Sequence, residues 1–223
     1  MATRSRLFAL EIGCLLSVVC SVALSQDAAG SPPYFNIDPP RQTIAGDKIE
    51  VAEVFSYACI HCFQFQTLID AWRKRLPRQV AFVYLPAPYN ARDILLARGY
   101  LAAASLGIAE DSHSAIFDAI HVRHVKVQSI EDVAALYAAH GVTSEAFLER
   151  ANSFLIATQL RNMLALMVAY RIDSTPTLIV AGKYRVTASS AGNPENMLKV
   201  ADQLIAKEIA QTATSRQAPS KGK

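Results

Sequence analysis

Two cysteines separated by two residues are the strongest candidates for chemistry in this chain of 223 residues. Cys59 and Cys62 lie in the segment Tyr-Ala-Cys-Ile-His-Cys, where a predicted strand gives way to a predicted helix. The other two of the four cysteines lie in an N-terminal hydrophobic segment, so a framework of several disulfides is excluded for the folded domain. A Cys-x-x-Cys pair at such a junction can cycle between dithiol and disulfide.

The predicted position of Cys59 at the start of a helix favours its reactivity. Free backbone N–H groups and the positive end of the helix dipole face its sulfur, and both favour the thiolate, which is the attacking species. His61 lies between the two cysteines and can stabilise the same anion as an imidazolium or as an N–H donor. Cys62 lies one turn along the helix, where we expect it to be shielded and to act as the resolving thiol. A stabilised thiolate makes the disulfide a stronger oxidant.

Two other interpretations of the cysteine pair are a structural disulfide and a zinc site. A disulfide that closes a four-residue loop constrains the unfolded chain very little. Zinc needs about two further ligands, for which His113, His121 and His124 are candidates, and His121 and His124 have helical spacing. Histidines in a helical block are more often surface or capping residues. We therefore predict no metal and no cofactor.

The N-terminus has the pattern of a secretory signal peptide over residues 1–25. Arg4 and Arg6 precede an apolar stretch from residue 12 to residue 24, and small residues stand three and one positions before a cut ahead of Gln26. Glu11 interrupts the apolar character, which leaves an uncleaved anchor as the alternative. Export favours a disulfide-based function, because disulfides persist outside the cytoplasm.

The composition of the chain argues against a nucleic-acid-binding function. The chain has 22 Lys and Arg against 19 Asp and Glu, and 52% of its residues are hydrophobic. It has no basic run with interleaved aromatic residues, so we predict no nucleic-acid partner.

Hydrophobic periodicity and turn signals predict an α/β protein: a mixed sheet with flanking helices, interrupted by an inserted all-helical block. The predicted segments are an extended approach over 26–47, strands over 48–56 and 80–85, a helix from the cysteine pair to Leu76, four or five helices over 90–170, strands over 177–181 and 184–187, a helix from Asn193 to about Ala210, and a disordered tail over 211–223. Within the first strand, Glu50 is predicted to face solvent.

Several segments together give the chain a family resemblance over most of residues 45–205. They are Val-Phe-Ser-Tyr before the cysteine pair, Phe-Gln-Phe after it, the helical insert, and Ser-Thr-Pro-Thr at residues 174–177. The chain resembles the thioredoxin-like superfamily and, within it, the DsbA family of periplasmic thiol:disulfide oxidoreductases. The resemblance implies a discontinuous thioredoxin-like domain over 48–89 and 171–210, with a helical insert over 90–170 that forms a lid beside the cysteines.

The resemblance also implies roles for individual residues. Cys59 is similar to the nucleophile that forms the mixed disulfide, and Cys62 to its partner. Pro176 matches the family's cis-proline, which with Thr175 presents backbone to an extended substrate peptide. Glu53 aligns with a buried acid that relays protons from the resolving cysteine.

Three departures from the family pattern concern the same site. Ile60 replaces a common proline, Thr175 stands where oxidases usually have valine, and the lysine that many relatives place in the second strand is missing from residues 81–85. Without that cation, a buried Glu53 is expected to have a raised pKa.

The implied activity is donation of the disulfide to newly exported proteins with free cysteines in the periplasm. The implied partner is a membrane-embedded, quinone-linked reoxidant of the DsbB type. A monomer is expected because only about twenty residues of the predicted mature chain precede the first strand, too few for the separate N-terminal domain on which dimeric periplasmic isomerases are built. The alternatives are a disulfide isomerase or reductase and, from another class, a non-enzymatic metal-binding or peptide-binding protein.

Overall fold

The computed structural model of the protein describes residues 32–217, with side chains described as far as residue 214. The predicted signal peptide over 1–25, the beginning of the predicted extended segment and the end of the predicted tail therefore lie outside the described residues. Within the described part of the chain, every helix is too short or too polar to cross a lipid bilayer.

The predicted mixed sheet is confirmed, and it has five strands in the order β1-β5-β4-β2-β3. Its central strand β2 pairs in parallel with β3 and antiparallel with β4. The sheet therefore combines a strand–helix–strand crossover, which parallel neighbours require, with a hairpin formed by β4 and β5. The strands are β1 (Phe35–Asn36), β2 (Ile49–Phe55), β3 (Val80–Pro86), β4 (Thr177–Val180) and β5 (Tyr184–Thr187).

Helices cover both faces of this sheet. One face packs against the first and the last long helix, and the other against the end of the sixth helix. The helices are α1 (Ile60–Arg73), α2 (Ala91–Ser105), α3 (Ala109–His121), α4 (Ile130–Tyr137), α5 (Ser144–Ala151), α6 (Phe154–Ala169), α7 (Ala188–Ala191) and α8 (Pro194–Gln217), with a 3-10 turn at Ala138–His140.

Strand β2 is buried on both sides, which explains its nearly continuous apolar sequence. Val51 packs beneath α1 and α8, whereas Ala52 and Val54 pack on the opposite face. Because side chains alternate along a strand, Glu53 shares a face with Val51 and Phe55. The strand thus directs one carboxyl group into the layer under α1.

The helices α2 to α6 form the predicted insert between β3 and β4, and they share a core with the end of β2. Phe55, Tyr57 and Cys62 belong to this core, together with Phe117 and Phe147 of the insert. Two helix starts in the insert are set by polar caps, at Ser129, which forms a capping box with Asp132, and at Thr143. The break between α5 and α6 was not predicted.

Two predicted segments outside the insert differ from the structure. Part of the predicted extended approach forms β1, which pairs antiparallel with β5 of the hairpin, and Ile37 N–H and Arg41 N–H then donate to the Lys183 and Gly182 carbonyls. Helix α8 continues to Gln217 instead of ending near Ala210. The hydroxyls of Thr212 and Thr214 are satisfied by carbonyls one turn back, so this polar sequence is compatible with a helix.

Glu50 is buried, with 5% of its surface exposed, so its predicted exposure is wrong. The segment before β2 folds over it, and one of its carboxylate oxygens accepts a hydrogen bond from Ile44 N–H at 2.9 Å. Burial raises its pKa, although this backbone donor opposes the rise.

Candidate active site

Cys59 is the N-cap residue of α1 and lies at the carboxyl end of β2. Its backbone is extended, with φ −84° and ψ 115°, and its sulfur accepts a hydrogen bond from Cys62 N–H at 3.3 Å. The side chain is half-buried, so the sulfur is accessible and is also in contact with helix N–H groups. This is the position that the sequence predicts for the nucleophile.

The surroundings of Cys59 lower its pKa from 9.0 to about 5. The main cause is a hydrogen bond from the Cys62 thiol, and the Thr175 side chain and the backbone N–H groups of Cys62 and His61 add to it. Burial acts in the opposite direction but is outweighed. At neutral pH the thiolate is therefore the prevailing form of the reduced site.

Cys62 has the opposite environment. Its side chain is fully buried, and burial raises its pKa, as do its hydrogen bond to Cys59 and the negative charges of Glu53 and Cys59. Both cysteines are free thiols, so the structure represents the dithiol state. The pair thus consists of one half-buried, acidic thiol and one fully buried thiol that retains its proton.

Thr175 and Pro176 lie against the cysteine pair, and the peptide bond between them is cis, as the resemblance implies. The Cys59 thiol contacts the Thr175 carbonyl oxygen at 3.4 Å, whereas the Thr175 side chain lowers the pKa of Cys59. These two contacts form in different protonation states of Cys59. The carbonyl accepts from the thiol, and the hydroxyl donates to the thiolate, so the second contact prevails once the proton has left.

A cavity of about 690 Å³ opens beside the pair. Its walls come from the first turns of α1, the loop over 174–176, and the start of α8. His61 lies exposed in this wall, and it is its backbone N–H that hydrogen-bonds to the Cys59 sulfur. Ile60 is also exposed, with 46% of its surface accessible.

Glu53 lies fully buried beneath α1, and neither of its carboxylate oxygens has a hydrogen-bond partner within the described residues. Burial raises its pKa well above 4.5, the negative charges of Asp70 and Cys59 raise it further, and Arg73 opposes them. The lysine missing from β3 is thus partly replaced by Arg73 of α1, whose guanidinium lies 5.7 Å from the Tyr84 ring centroid. The raised pKa expected for Glu53 agrees with this environment.

Two of the three histidines considered as zinc ligands, His113 and His121, have other contacts. His113 lies buried with its Nδ1 2.9 Å from the Tyr57 hydroxyl, and burial lowers its pKa to about 3. His121 Nε2 donates to the Tyr57 carbonyl at 2.8 Å. Within residues 32–214, no group of three or more His, Cys, Asp or Glu side chains is arranged to hold a metal ion. Sequence reasoning missed the role of Tyr57 as a partner of both histidines.

Comparison with known proteins agrees with this geometry. Residues 50–201 match the model of the DSBA-like thioredoxin domain, which covers more than half of the chain. The chain belongs to the DsbA family. It is 38% identical over 196 residues to the thiol:disulfide interchange protein DsbA of Pseudomonas aeruginosa, covering 88% of this chain and 93% of that protein. It is 41% identical over 161 residues to DsbA of Azotobacter vinelandii, covering 72% and 75% of the two proteins.

Solved structures give the same result. The crystal structure of DsbA from Pseudomonas aeruginosa has a TM-score of 0.77 and 40% identity, and the match covers 82% of this chain and 95% of that one. DsbA from Xylella fastidiosa has a TM-score of 0.75 and 34% identity, with 79% and 95% covered. The predicted family, the thioredoxin-like fold and the oxidoreductase class are therefore confirmed. The chain is a thiol:disulfide oxidoreductase of the DsbA family.

Proposed function

We propose that this DsbA-family protein is a dithiol oxidase that donates the Cys59–Cys62 disulfide to cysteines of newly exported proteins in the periplasm. The observation that carries the proposal is the contrast between the two thiols. Cys59 is accessible and has a pKa of about 5, whereas Cys62 is buried with a raised pKa. The reduced protein thus keeps a stabilised thiolate, and this stabilisation favours transfer of the disulfide to other thiols.

The reaction begins when a substrate thiolate attacks the Cys59 sulfur. A bond forms between the substrate sulfur and Cys59 Sγ, and the Cys59–Cys62 bond breaks with its electron pair going to Cys62. Because burial and the negative charge of Glu53 raise the pKa of Cys62, the Cys62 sulfur takes up a proton. A second substrate thiolate then attacks the substrate sulfur of the mixed disulfide, and Cys59 leaves as a thiolate. The substrate loses two electrons and forms its disulfide, and the protein gains both electrons.

Glu53 is the proton source and acceptor for Cys62 in this proposal. Its raised pKa favours the protonated carboxyl group, and the negative charge of an ionised Glu53 raises the pKa of Cys62, so Cys62 loses its proton more easily while Glu53 is neutral. A buried carboxyl group without a hydrogen bond costs about 1–3 kcal/mol of stability. A role in proton transfer at the cysteine pair accounts for the presence of this destabilising carboxyl group.

We predict that Glu53→Gln slows turnover about a hundredfold, at the low end of what a positioned proton donor contributes. The fold should be unaffected, because an amide of the same shape replaces a carboxyl group that has no partner among the described residues. The measurement is the rate of disulfide transfer to a reduced two-cysteine peptide. Glu50→Gln is the matched control, since Glu50 is a buried glutamate on the other face of the same strand. Equal rates in the two variants would reduce Glu53 to a structural residue.

The substrate chain is proposed to lie in the cavity beside the cysteine pair. Its exposed surface is mainly apolar and includes Phe65, Leu68 and Pro176, which suits an extended, partly unfolded peptide. Thr175 and Pro176 present backbone there, and His61 borders the entrance. A protein that acts on many unfolded chains needs this kind of contact, because backbone groups are common to all of them.

Reoxidation is proposed to come from a membrane-embedded, quinone-linked partner of the DsbB type. This partner accepts the two electrons held by the reduced pair, which completes the cycle without a bound cofactor. We further propose that the protein acts as a monomer. The family membership and the accessible Cys59 support these proposals.

The equilibrium with glutathione tests the oxidase assignment. The pKa of Cys59 is about 5, whereas that of the reactive cysteine of thioredoxin is about 7. Each tenfold change in the equilibrium constant corresponds to about 30 mV of reduction potential. Because the Cys59 sulfur is partly exposed, solvent screens its charge and weakens the effect. We therefore expect the reduction potential of the Cys59–Cys62 disulfide to lie ~30–60 mV above the roughly −270 mV of thioredoxin. A potential at or below that of thioredoxin would replace the oxidase assignment with a reductase.

A further inference from the structure

Two of the three residues before Cys59, Ser56 and Tyr57, are held by the helical insert through three hydrogen bonds. Ser56 Oγ donates to Asp93 of α2 at 2.5 Å. The Tyr57 hydroxyl lies 2.9 Å from Nδ1 of His113, and the Tyr57 carbonyl accepts from Nε2 of His121 at 2.8 Å. The last contact differs from the other two because it fixes the backbone itself. A buried carbonyl in a loop needs such a partner, and here a side chain 64 residues away supplies it.

His121 also contacts the residue on the far side of the cysteine pair. Its ring stacks on Phe63, with centroids 5.1 Å apart and planes 16° apart. Phe63 directly follows Cys62, and Tyr57 lies two residues before Cys59. One side chain of α3 therefore contacts the chain immediately before and immediately after the Cys-x-x-Cys segment.

The backbone between these contacts determines the position of the nucleophile. Cys59 N–H donates to the Ser56 carbonyl at 3.1 Å, and Ala58 N–H donates to Ser56 Oγ at 3.0 Å, so residues 56–59 form one hydrogen-bonded turn. The Tyr57 carbonyl is in the middle of this turn. The extended φ and ψ of Cys59, which place its sulfur on Cys62 N–H, depend on the orientation of the peptide units before it.

We infer that His121, whose ring stacks on Phe63, is a positioning residue of the redox site, which acts through the Tyr57 carbonyl to hold Cys59 at the N-cap of α1. The inference rests on the proposed oxidase function, because it assigns His121 to the stabilisation of the reduced, thiolate-bearing state. The contacts of His121 are with the Tyr57 carbonyl and with the Phe63 and Phe117 rings, and His121 is not among the residues that line the cavity. Its effect is on the geometry in which the thiolate receives the helix N–H groups.

The test compares His121→Leu with His121→Gln in the full-length mature protein. Leucine removes the Nε2 donor, whereas the glutamine amide nitrogen occupies nearly the same place and can donate to the same carbonyl. We expect His121→Leu to shift the glutathione equilibrium about threefold toward the disulfide form, the lower range of what one hydrogen bond contributes. His121→Gln should lie within experimental error of the parent. His140→Leu, a histidine change in the 3-10 turn of the insert, is the control and should also match the parent.

A second readout separates positioning from general packing. The ultraviolet absorbance of the thiolate, titrated in each reduced variant, should move to higher pH only in His121→Leu. If His121→Leu loses thermal stability equally in both redox states while the glutathione equilibrium stays constant, the positioning role is refuted. The same conclusion follows if His121→Gln behaves like His121→Leu. A parent protein with a potential like that of thioredoxin would instead defeat the proposed oxidase function, whatever the variants do.

Discussion

Cys59→Ser is expected to reduce disulfide transfer to the uncatalysed level while preserving the fold. Serine cannot form the disulfide or the mixed disulfide, so the reaction has no first step. It is, however, a strongly preferred N-cap residue, and the Cys59 side chain already accepts the capping hydrogen bond from Cys62 N–H. Loss of activity therefore does not come with loss of helix α1. The measurement is the rate at which a reduced two-cysteine peptide gains its disulfide, with circular dichroism as the check on folding.

Cys62→Ser provides the matched comparison for the same experiment. Here the nucleophile remains, but the buried thiol that resolves the mixed disulfide is gone. The variant should accumulate covalent complexes with oxidised protein substrates, visible as reducible bands on a gel, whereas Cys59→Ser should form none. Full oxidase activity in Cys59→Ser, or covalent complexes formed through Cys62, would reverse the assignment of the two thiols.

The stability of the reduced protein is expected to rise with pH relative to that of the oxidised protein. The pKa of Cys59 is lowered from 9.0 in the unfolded chain to about 5 in the folded dithiol. A group whose pKa is lowered by folding stabilises the fold fully at a pH above its pKa in the unfolded chain. This stabilisation is lost as the pH falls through its pKa in the folded protein. The oxidised protein has no thiol at this position and lacks the contribution.

One unit of pKa corresponds to about 1.4 kcal/mol, so the upper limit of this contribution is about 5 kcal/mol. Because the sulfur is partly exposed and solvent screens it, we expect about half of that. Denaturant unfolding of both redox forms between pH 4 and pH 8 gives the difference, and Cys62 stays protonated in the folded and unfolded states over this range. Reduced Cys59→Ser should lose this dependence on pH. A difference between the two forms that is constant from pH 4 to pH 8 would show that Cys59 titrates like a free cysteine.

The sequence predicts the central part of the fold because its signals there are local. Strand β2 is a run of apolar residues, and α1 follows it with apolar residues at helical spacing, so both elements and their order follow from pattern alone. Strands β4 and β5 flank a Gly-Lys turn and are predicted within one residue. Strand β1 could not be predicted in this way, because its two residues become a strand only by pairing with the hairpin.

The same distinction applies to the site. Cys59, Cys62 and the Thr175–Pro176 segment carry recognisable spacing, and the structure brings them together. The burial of Glu53 was also expected, but that of Glu50 was not, since the covering segment has no periodic signal. His121 was considered only as a metal ligand, because its contact with Tyr57 arises from the packing of α3 against the loop. No spacing in the sequence relates a histidine to a backbone carbonyl 64 residues earlier.

The insertion of five helices between β3 and β4 affects the order in which the protein can mature. Cys59 and Thr175 meet across 116 residues of chain, so both thiols are synthesised well before the loop that completes their surroundings. Chains are made from the N-terminus, and domains fold as units once they are complete. A nascent form therefore carries Cys59 without the Thr175 contact that helps to lower its pKa, and the full oxidising strength of the protein is expected only when its last third has been made.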